Sequence, residues 1–537
     1  MVIALFWFFI QIIYFSLDCI KQIIHYQFLF KFYINPKIMN AEFIPYFFPR
    51  GIAVIGASNN FFSGGAPFII SLLAAKFPNI YPINPNHLEI FGLKTYPSVT
   101  EVPYPIDYVI IAIPKQKVMS ALEDCIRKGG IKVICCFTSG YSELGKEDGI
   151  QAEIKLVERA RANNIRLLGP NCIGIYSAEA RISFQGALYN TVGAENAGNT
   201  SIISQSGGNT DVFIGYGYGL GLRFRFAVSY GNGADINADN LLEFFGQDAQ
   251  THLILEYLEG FRTPEQARHF LTTLKQVCKI KPVLIWIGGV SESGARAIKS
   301  HTGSIAGNTK VSSAALQQNG AIQVKNVYDL LHTGLLISLL QKNRKLSRVT
   351  PNISVVGGGG GNSVQYADIL SALNLRIPSF AEAIHSKLVE SVGEIGTLLK
   401  NPIDLNTAMF DMNIVKKVLR ILDDNLNHVL VFEPGIEWFI FNEKFVKDLM
   451  REGTSDFKMI LKQNINAMIR FERTLKNPLL IMSPSYFQDP DVIRFKLEYE
   501  KLFLRNNIPV FSHLSYMGVA IANAVKYNKW LENHHCS

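Results

Sequence analysis

Gly51-Ile52-Ala53-Val54-Ile55-Gly56-Ala57-Ser58, followed by Ser63-Gly64-Gly65 and an apolar helical pattern reaching Lys76, decides the fold. It reads as strand, glycine turn, helix. Such a turn aims backbone N–H groups and a helix N-terminus at an anion, most often a nucleotide phosphate; the plainer alternative is that the glycines only tighten the connection. The glycines do not follow GxGxxG. After the second strand, where an acidic residue would hold an NAD ribose, the chain has Asn84-Pro85-Asn86, which argues against a dehydrogenase.

Further strand patterns at 80–85, 106–114, 132–139 and 165–171, with helical stretches between most of them, predict a parallel doubly wound sheet over 43–185. Its strand-end loops carry Asn84-Pro85-Asn86, Ile113-Pro114-Lys115, Thr138-Ser139-Gly140 and Gly169-Pro170-Asn171, on the edge where such sheets bind ligands. A second α/β unit is expected over 196–340. Its strand 200–203 runs into Ser204-Gln205-Ser206-Gly207-Gly208-Asn209-Thr210 and an apolar helix, a second anion socket; strands 224–230, 252–258 and 282–287 follow. After a charged stretch at 341–350, read as a solvated linker, a third unit spans 351–531. There the strand 353–356 leads into Gly357-Gly358-Gly359-Gly360-Gly361-Asn362-Ser363. Five glycines in a row are costly in chain entropy and suit close backbone approach to a phosphate. Asn401-Pro402-Ile403-Asp404-Leu405 reads as a turn, strands follow at 429–433, 479–483 and 508–511, and 517–531 reads as a closing helix.

Of the 537 residues 48% are hydrophobic and 18% charged, a globular composition large enough for several domains. The net charge of +8 is spread without a long basic run, which implies mild attraction to anions and no nucleic-acid partner. Seven scattered cysteines include no CxxC and no paired Cys/His spacing, so buried thiols in a reducing, cytoplasmic setting are expected, and no metal site. Residues 1–38 differ in kind: from Met1 to Leu17 there is no charge, and the run is slightly short for a membrane span and lacks signal-peptide features. It is either a membrane anchor or sequence upstream of a true start at Met39; the second fits better, because the globular pattern begins there.

Chemistry points to Ser300-His301-Thr302-Gly303-Ser304, one imidazole among small residues and hydroxyls. Neutral imidazole is nucleophilic near physiological pH and needs an orienting acceptor on its second nitrogen. His301 is thus a candidate for phosphorylation, against the alternative of a surface histidine in a Gly/Ser loop. The strand that ends in Glu256-Tyr257-Leu258-Glu259-Gly260 offers the acceptor: Glu259 at the strand end is the candidate, and Glu256, on the opposite strand face, reads as a solvated or structural carboxylate.

These motifs, together with Phe48-Pro49-Arg50, Gly169-Pro170-Asn171-Cys172-Ile173-Gly174 and Tyr257-Leu258-Glu259-Gly260, occur in the order seen in nucleoside-diphosphate-forming acyl-CoA synthetases. The chain resembles the α subunits of ADP-forming acetate–CoA ligases, within the succinyl-CoA synthetase superfamily, over about residues 43–531. The resemblance implies a Rossmann-like CoA-binding domain followed by two flavodoxin-like ligase domains. It also implies reversible conversion of acyl-CoA, ADP and phosphate to acid, CoA and ATP through an acyl phosphate and a phosphohistidine. By motif, His301 would carry the phosphate with Glu259 orienting it. The helix starts at Ser206, Gly207 and Gly208 and at Gly359, Gly360, Gly361 and Asn362 would cradle phosphate. Gly56, Ala57, Ser58, Asn84, Pro85, Pro114 and Ser139 would line the coenzyme A site, with Asn171 near the thioester.

No ATP-grasp module and no Walker A motif is evident, so ADP or ATP with Mg²⁺ is expected on a partner, an ATP-grasp β subunit in a hetero-oligomer, with a small carboxylic acid or acyl-CoA as the other substrate. Asn209 stands where the family more often has a small apolar residue, which leaves the local packing open. Two other readings remain: a non-catalytic CoA-binding regulatory subunit, and a CoA or carbamoyl-type transferase built on the same domains.

Overall fold

The structure is a computed structural model that describes residues 42–62, 64–184, 188–294, 296, 309–357, 359–393, 398–441 and 457–535. His301 and the N-terminal segment 1–38 lie outside the described residues.

Three sheets follow one another along the chain, parallel except for one edge strand of the second. The strands are β1 (Ile52–Ile55), β2 (Ile80–Ile83), a small hairpin β3 (Glu89–Ile90) and β4 (Leu93–Lys94), β5 (Tyr108–Ile111), β6 (Val133–Cys136), β7 (Arg166–Leu168) and β8 (Gly174–Ser177). Then come β9 (Thr200–Ser204), β10 (Phe224–Ser229), β11 (Leu253–Leu258), β12 (Val283–Ile287) and β13 (Ile322–Val324). The last set is β14 (Ile353–Gly357), β15 (Ile403–Asp404), β16 (Val429–Phe432), β17 (Leu479–Met482) and β18 (Val510–Phe511). The sheet orders are β2-β1-β5-β6-β7, β13-β12-β11-β9-β10-β8 and β15-β14-β16-β17-β18. Each unit therefore repeats one plan, with its first strand between its second and third. The order in which strands are added reverses beside that first strand, and this switch point opens a crevice at the carboxyl edge of each sheet.

The strands are apolar at nearly every position because both faces are covered: β1, β5 and β6 are buried throughout. Three local readings are corrected. Gly174–Ser177, read within the first unit, pairs antiparallel with β10 and so extends the second sheet. Ile403–Asp404, read as a turn, is a short strand beside β14. The stretch 341–350 is no simple solvated linker: Lys345 is buried, its Nζ donating to the Glu472 backbone carbonyl at 3.0 Å and pairing with the Glu472 carboxylate, a partner 127 positions away.

The units share cores. Phe47 stacks on Phe244 at 5.1 Å and tilts against Phe226 at 4.3 Å, tying the segment before β1 to the second unit. The helix Val327–Lys342 is buried over most of its length between the second sheet and the C-terminal helix Leu514–His535, whose Met517, Ile521 and Ala524 join the same cluster as Leu335 and Leu336. Hence the closing helix locks the third unit to the second.

His332 sits in that seam. Its Nε2 lies 3.3 Å from the Tyr216 hydroxyl, and the Tyr516 ring stacks on it at 4.6 Å. Burial, helped by His513, pushes the imidazole down to about 4. The folded value lies below the unfolded one, so the unfolded chain binds more protons between roughly pH 6.5 and 4, and stability falls as pH drops through that window, by up to about 3 kcal/mol. His332→Gln should flatten this part of the stability curve in urea titrations across pH; an unchanged acid slope would show that the histidine is solvated.

Candidate functional site

The carboxyl edge of the first sheet faces the switch point of the second, and between them lies a cavity of about 600 Å³. Its walls come from both units: Gly64, the β5 end at Ala112 to Lys115, Phe137 to Ser139 after β6, Asn171 to Ile173, Gln205 to Gly208 and Glu259. Pro114, Ser139, Asn171, Ser206, Gly207, Gly208 and Glu259 are thus brought together, although they come from stretches up to 145 positions apart in sequence (259 − 114).

The turn after β1 stands beside this cavity. Gly56 has φ +92°, a conformation that needs glycine, and a Cβ on Gly65 would stand 2.2 Å from the Gly56 carbonyl oxygen, so strand end and helix start are packed backbone to backbone. The Asn84 side chain donates to the Ala57 carbonyl at 2.7 Å, and Ser58 Oγ accepts from the Asn60 N–H at 3.0 Å. Gly56, Ala57, Ser58, Asn84 and Pro85 do not line the 600 Å³ cavity; they shape the edge next to it, where β1 and β2 end.

On the opposite wall Ser206 caps the helix Gly207–Leu220, its Oγ accepting from the Asn209 N–H at 3.3 Å. The remaining first-turn N–H groups have no carbonyl within the helix to bind and, with the helix dipole, favour an anion. A Cβ on Gly208 would meet nothing within 4 Å, so this helix start faces open space. Gln205 joins the helix start to the glutamate loop: its Oε1 accepts from the Gly260 N–H at 3.2 Å and from the Glu259 N–H, while its own N–H donates to the Tyr257 carbonyl at 3.2 Å. Glu259 Oε2 is buried and has no hydrogen-bond partner among the described residues. A buried carboxylate oxygen left this way is costly unless a donor reaches it. Burial and the adjacent Glu259 carboxylate push the Tyr257 phenol well above its ordinary range, with the Asn209 side chain at the same hydroxyl. Asn209 therefore has a polar neighbour that explains its departure from an apolar residue.

Glu256 is structural but not solvated. It is fully buried in β11, and burial, reinforced by Asp239, pushes its carboxyl well above the usual range. The described cysteines Cys125, Cys135, Cys136, Cys172 and Cys278 are buried free thiols. Cys172 is set into the cavity floor with its sulfur 3.5 Å from that of Cys135, and burial together with this neighbour pushes its thiol upward.

Gln205 and Lys115 are among the lining residues that were not candidates from the sequence. Gln205 carried no signal beyond its place in the Ser-Gln-Ser-Gly turn. Lys115, the first residue of the helix Lys115–Lys128, puts a cation on the cavity wall, its Nζ 5.2 Å from the centre of the Tyr141 ring and 3.7 Å from Asp148. A lysine directly after a strand-end proline was the available hint.

The third unit's glycine run lies elsewhere. Gly359, Gly360, Gly361 and Asn362 sit at the switch point between β14 and β16 and are not among the cavity's lining. The Gly359 N–H donates to Asp404 Oδ1 at 2.8 Å, the Asn362 amide reaches Glu433 at 3.4 Å, and the hydroxyls of Tyr366 and Tyr486 donate to the same carboxylate at 2.8 and 3.3 Å. One anion position there is taken by the protein's own carboxylate.

Known families match the first two units separately. Residues 50–178 match a CoA binding domain and 197–337 a succinyl-CoA ligase like flavodoxin domain. Over 363 residues the chain is 34% identical to the acetate–CoA ligase [ADP-forming] II subunit alpha of Pyrococcus furiosus, covering 67% of this chain and 76% of that one. The chain belongs to the ADP-forming acetate–CoA ligase family. The ligase of Methanocaldococcus jannaschii is 33% identical over 359 residues, and the alignment spans 48% of its length. The three-unit plan also recurs in this family: the acetyl-coenzyme A synthetase 1 of Ca. Korarchaeum cryptofilum, solved with phosphate and ADP, superposes with a TM-score of 0.73 at 27% identity, covering 91% of this chain and 98% of that chain. Among the described residues no helix is long and apolar enough to cross a membrane.

Proposed function

We propose that this chain is the α subunit of an ADP-forming acyl-CoA synthetase, which interconverts acyl-CoA, ADP and phosphate with carboxylic acid, CoA and ATP. The observation that carries the reading is the junction of a CoA-domain edge with a hydroxyl-rimmed helix start and a buried, unpartnered glutamate oxygen around one cavity. A coenzyme-only site would not require the last two.

Coenzyme A is placed along the carboxyl edge of the first sheet, with Gly56, Ala57, Ser58, Asn84 and Pro85 on the nucleotide side and Pro114, Ser139 and Asn171 toward the thioester. The volume and the glycine-cleared surface at Gly208 fit a thioester end with a phosphate beside it. Phosphate bound at Ser206, Gly207 and Gly208 attacks the acyl carbon; the thiolate leaves and an acyl phosphate forms. His301 then attacks phosphorus and the carboxylate leaves, giving a phosphohistidine. Glu259 accepts the N–H on the far nitrogen of the ring, fixes its tautomer and stabilises the cation. The helix dipole and fixed N–H groups neutralise the transferring phosphoryl group without solvent reorganisation. The work is positioning more than covalent chemistry by the protein.

ADP with Mg²⁺ is assigned to an ATP-grasp β subunit, to which the phosphohistidine is delivered. Support for a partner comes from the α-subunit naming of the Pyrococcus relative. The chain mixed with such a subunit, acetyl-CoA, phosphate and Mg-ADP should release free thiol and form ATP in equal amounts. CoA binding with no ATP would instead identify a regulatory subunit, and acyl exchange without ADP a transferase.

A further inference from the structure

Where the first and second units meet, outside the cavity's lining, lies a knot of buried polar groups closed by the partly exposed Arg262, and the proposed chemistry does not use it. Glu143, in the turn that follows the Ser139 loop, accepts from the backbone N–H of Tyr141 at 3.1 Å and from that of Gly140. Ser142 Oγ donates to Glu153 Oε2 at 2.8 Å. From the second unit the Asn232 amide donates to Glu143 Oε2 at 2.7 Å and to Glu153 Oε2 at 2.8 Å. Arg262 completes the knot: Nη2 lies 2.7 Å from Glu153 Oε1, and Nη1 donates to the Asn232 carbonyl at 3.1 Å. Glu143, Glu153 and Asn232 are 6%, 1% and 6% exposed. The neighbouring Gly231 packs backbone to backbone on the Gly169-Pro170-Asn171 loop, since a Cβ there would stand 2.3 Å from the Asn171 carbonyl oxygen, and the Asn232 N–H donates to the Pro170 carbonyl at 3.0 Å.

The Ser139 and Asn171 loops are therefore tied together at Asn232, and Arg262, on the chain that leaves the Glu259 loop, holds both Asn232 and Glu153. Arg262 follows Glu259 by three residues, and Gln205 pins Glu259 from the other side. Two carboxylates buried together cost several kcal/mol unless cations and donors face them, and apolar packing would hold the units together at less expense in desolvation. What a fork of directed hydrogen bonds adds is a fixed separation. We propose that Arg262, through Glu153 and Asn232, is a positioning residue that sets the distance between the Ser139 and Asn171 loops and the Glu259 carboxylate. This rests on the functional reading above. Misplacement of reacting groups by about 1 Å can cost about 100-fold in rate.

The test compares Arg262→Ala and Arg262→Lys in the α subunit assembled with its partner, with guanidinium ion as a rescue probe and sodium chloride as its control. In Arg262→Ala, kcat for ATP formation should fall by about 30-fold or more while coenzyme A affinity holds, and guanidinium should restore much of the loss. Arg262→Lys keeps the charge but not the fork and should remain impaired. Amide exchange at residues 139–143 should speed in both variants, and this readout does not depend on turnover. Wild-type kcat in Arg262→Ala, or a loss that tracks a lowered melting temperature and ignores guanidinium, would overturn the proposal. A wild type that binds coenzyme A but forms no ATP would sink the functional reading instead, and the exchange data would then judge the clamp: unchanged protection refutes it.

Discussion

Glu259→Gln should slow phosphorylation of the α subunit by about 100-fold or more, with coenzyme A binding unchanged. Glutamine keeps the size of the side chain and an acceptor oxygen. It also leaves the bonds from the Glu259 and Gly260 main-chain N–H groups to the Gln205 side-chain oxygen in place, because Glu259 contributes only its backbone to them. What it removes is the charge that stabilises an imidazole bearing a phosphoryl group. The buried, unpartnered Oε2 is the structural reason for expecting a large effect, since a carboxylate so placed interacts with a donor in a medium of low polarity. The rate of acid-labile label incorporation from ATP and partner, compared between wild type and variant, measures it. Equal rates would remove Glu259 from the reaction.

The largest stability effect is expected at Arg225. This arginine of β10 is fully buried, the largest such side chain among the described residues. Its Nε donates to Asp248 Oδ2 at 2.7 Å, and Nη1 donates to Glu179 Oε1 and to Gln250 Oε1, each at 2.7 Å. Asp248 is held in turn by the Thr251 hydroxyl at 2.6 Å, and Lys281, pushed down to about 8 mainly by burial, donates to the Phe245 carbonyl at 2.8 Å beside it. Arg225→Met would keep the volume and strand two carboxylates, so it should cost about 3–5 kcal/mol in urea unfolding. Replacing Arg225, Asp248 and Glu179 together by apolar residues should cost far less. A single variant as stable as wild type would mean that water reaches the group. Because β10 lies beside β9, which leads into Ser206, loss of this network should also loosen the helix start at Ser206.

The sequence was most legible where a local rule suffices. Three strand–glycine–helix starts, at Gly56, Ser206 and Gly359, announced three α/β units, and the small polar residues after the strands marked the carboxyl edges of the sheets. Features fixed by distant partners were not legible. Gly174–Ser177 is too short to show its sheet, and its pairing with β10 is set some 50 positions later in the chain. Lys345 looked solvated because nothing nearby revealed Glu472. Glu256 showed its strand face by parity but not that helices cover that face completely. In the site, Pro114, Ser139, Asn171, Ser206 and Glu259 were separate hints that only the facing of two sheet edges brings together. Gln205, Lys115 and Arg262 act through partners on other elements, so residue type alone could not single them out. At Gly359 the backbone N–H donates to Asp404, 45 positions later in the chain, a partner that the glycine run does not announce.

The central claim is that this cavity hands a phosphoryl group to His301, and locating the phosphate tests it most directly. After incubation with Mg-ATP and the ATP-grasp partner, digestion at neutral to basic pH should yield the peptide Ser300–Lys310 carrying one acid-labile, base-stable phosphate on His301, absent in His301→Ala. Phosphate on another residue, an acid-stable ester on Ser300, Thr302 or Ser304, or no phosphate on a chain that still supports ATP formation would contradict it.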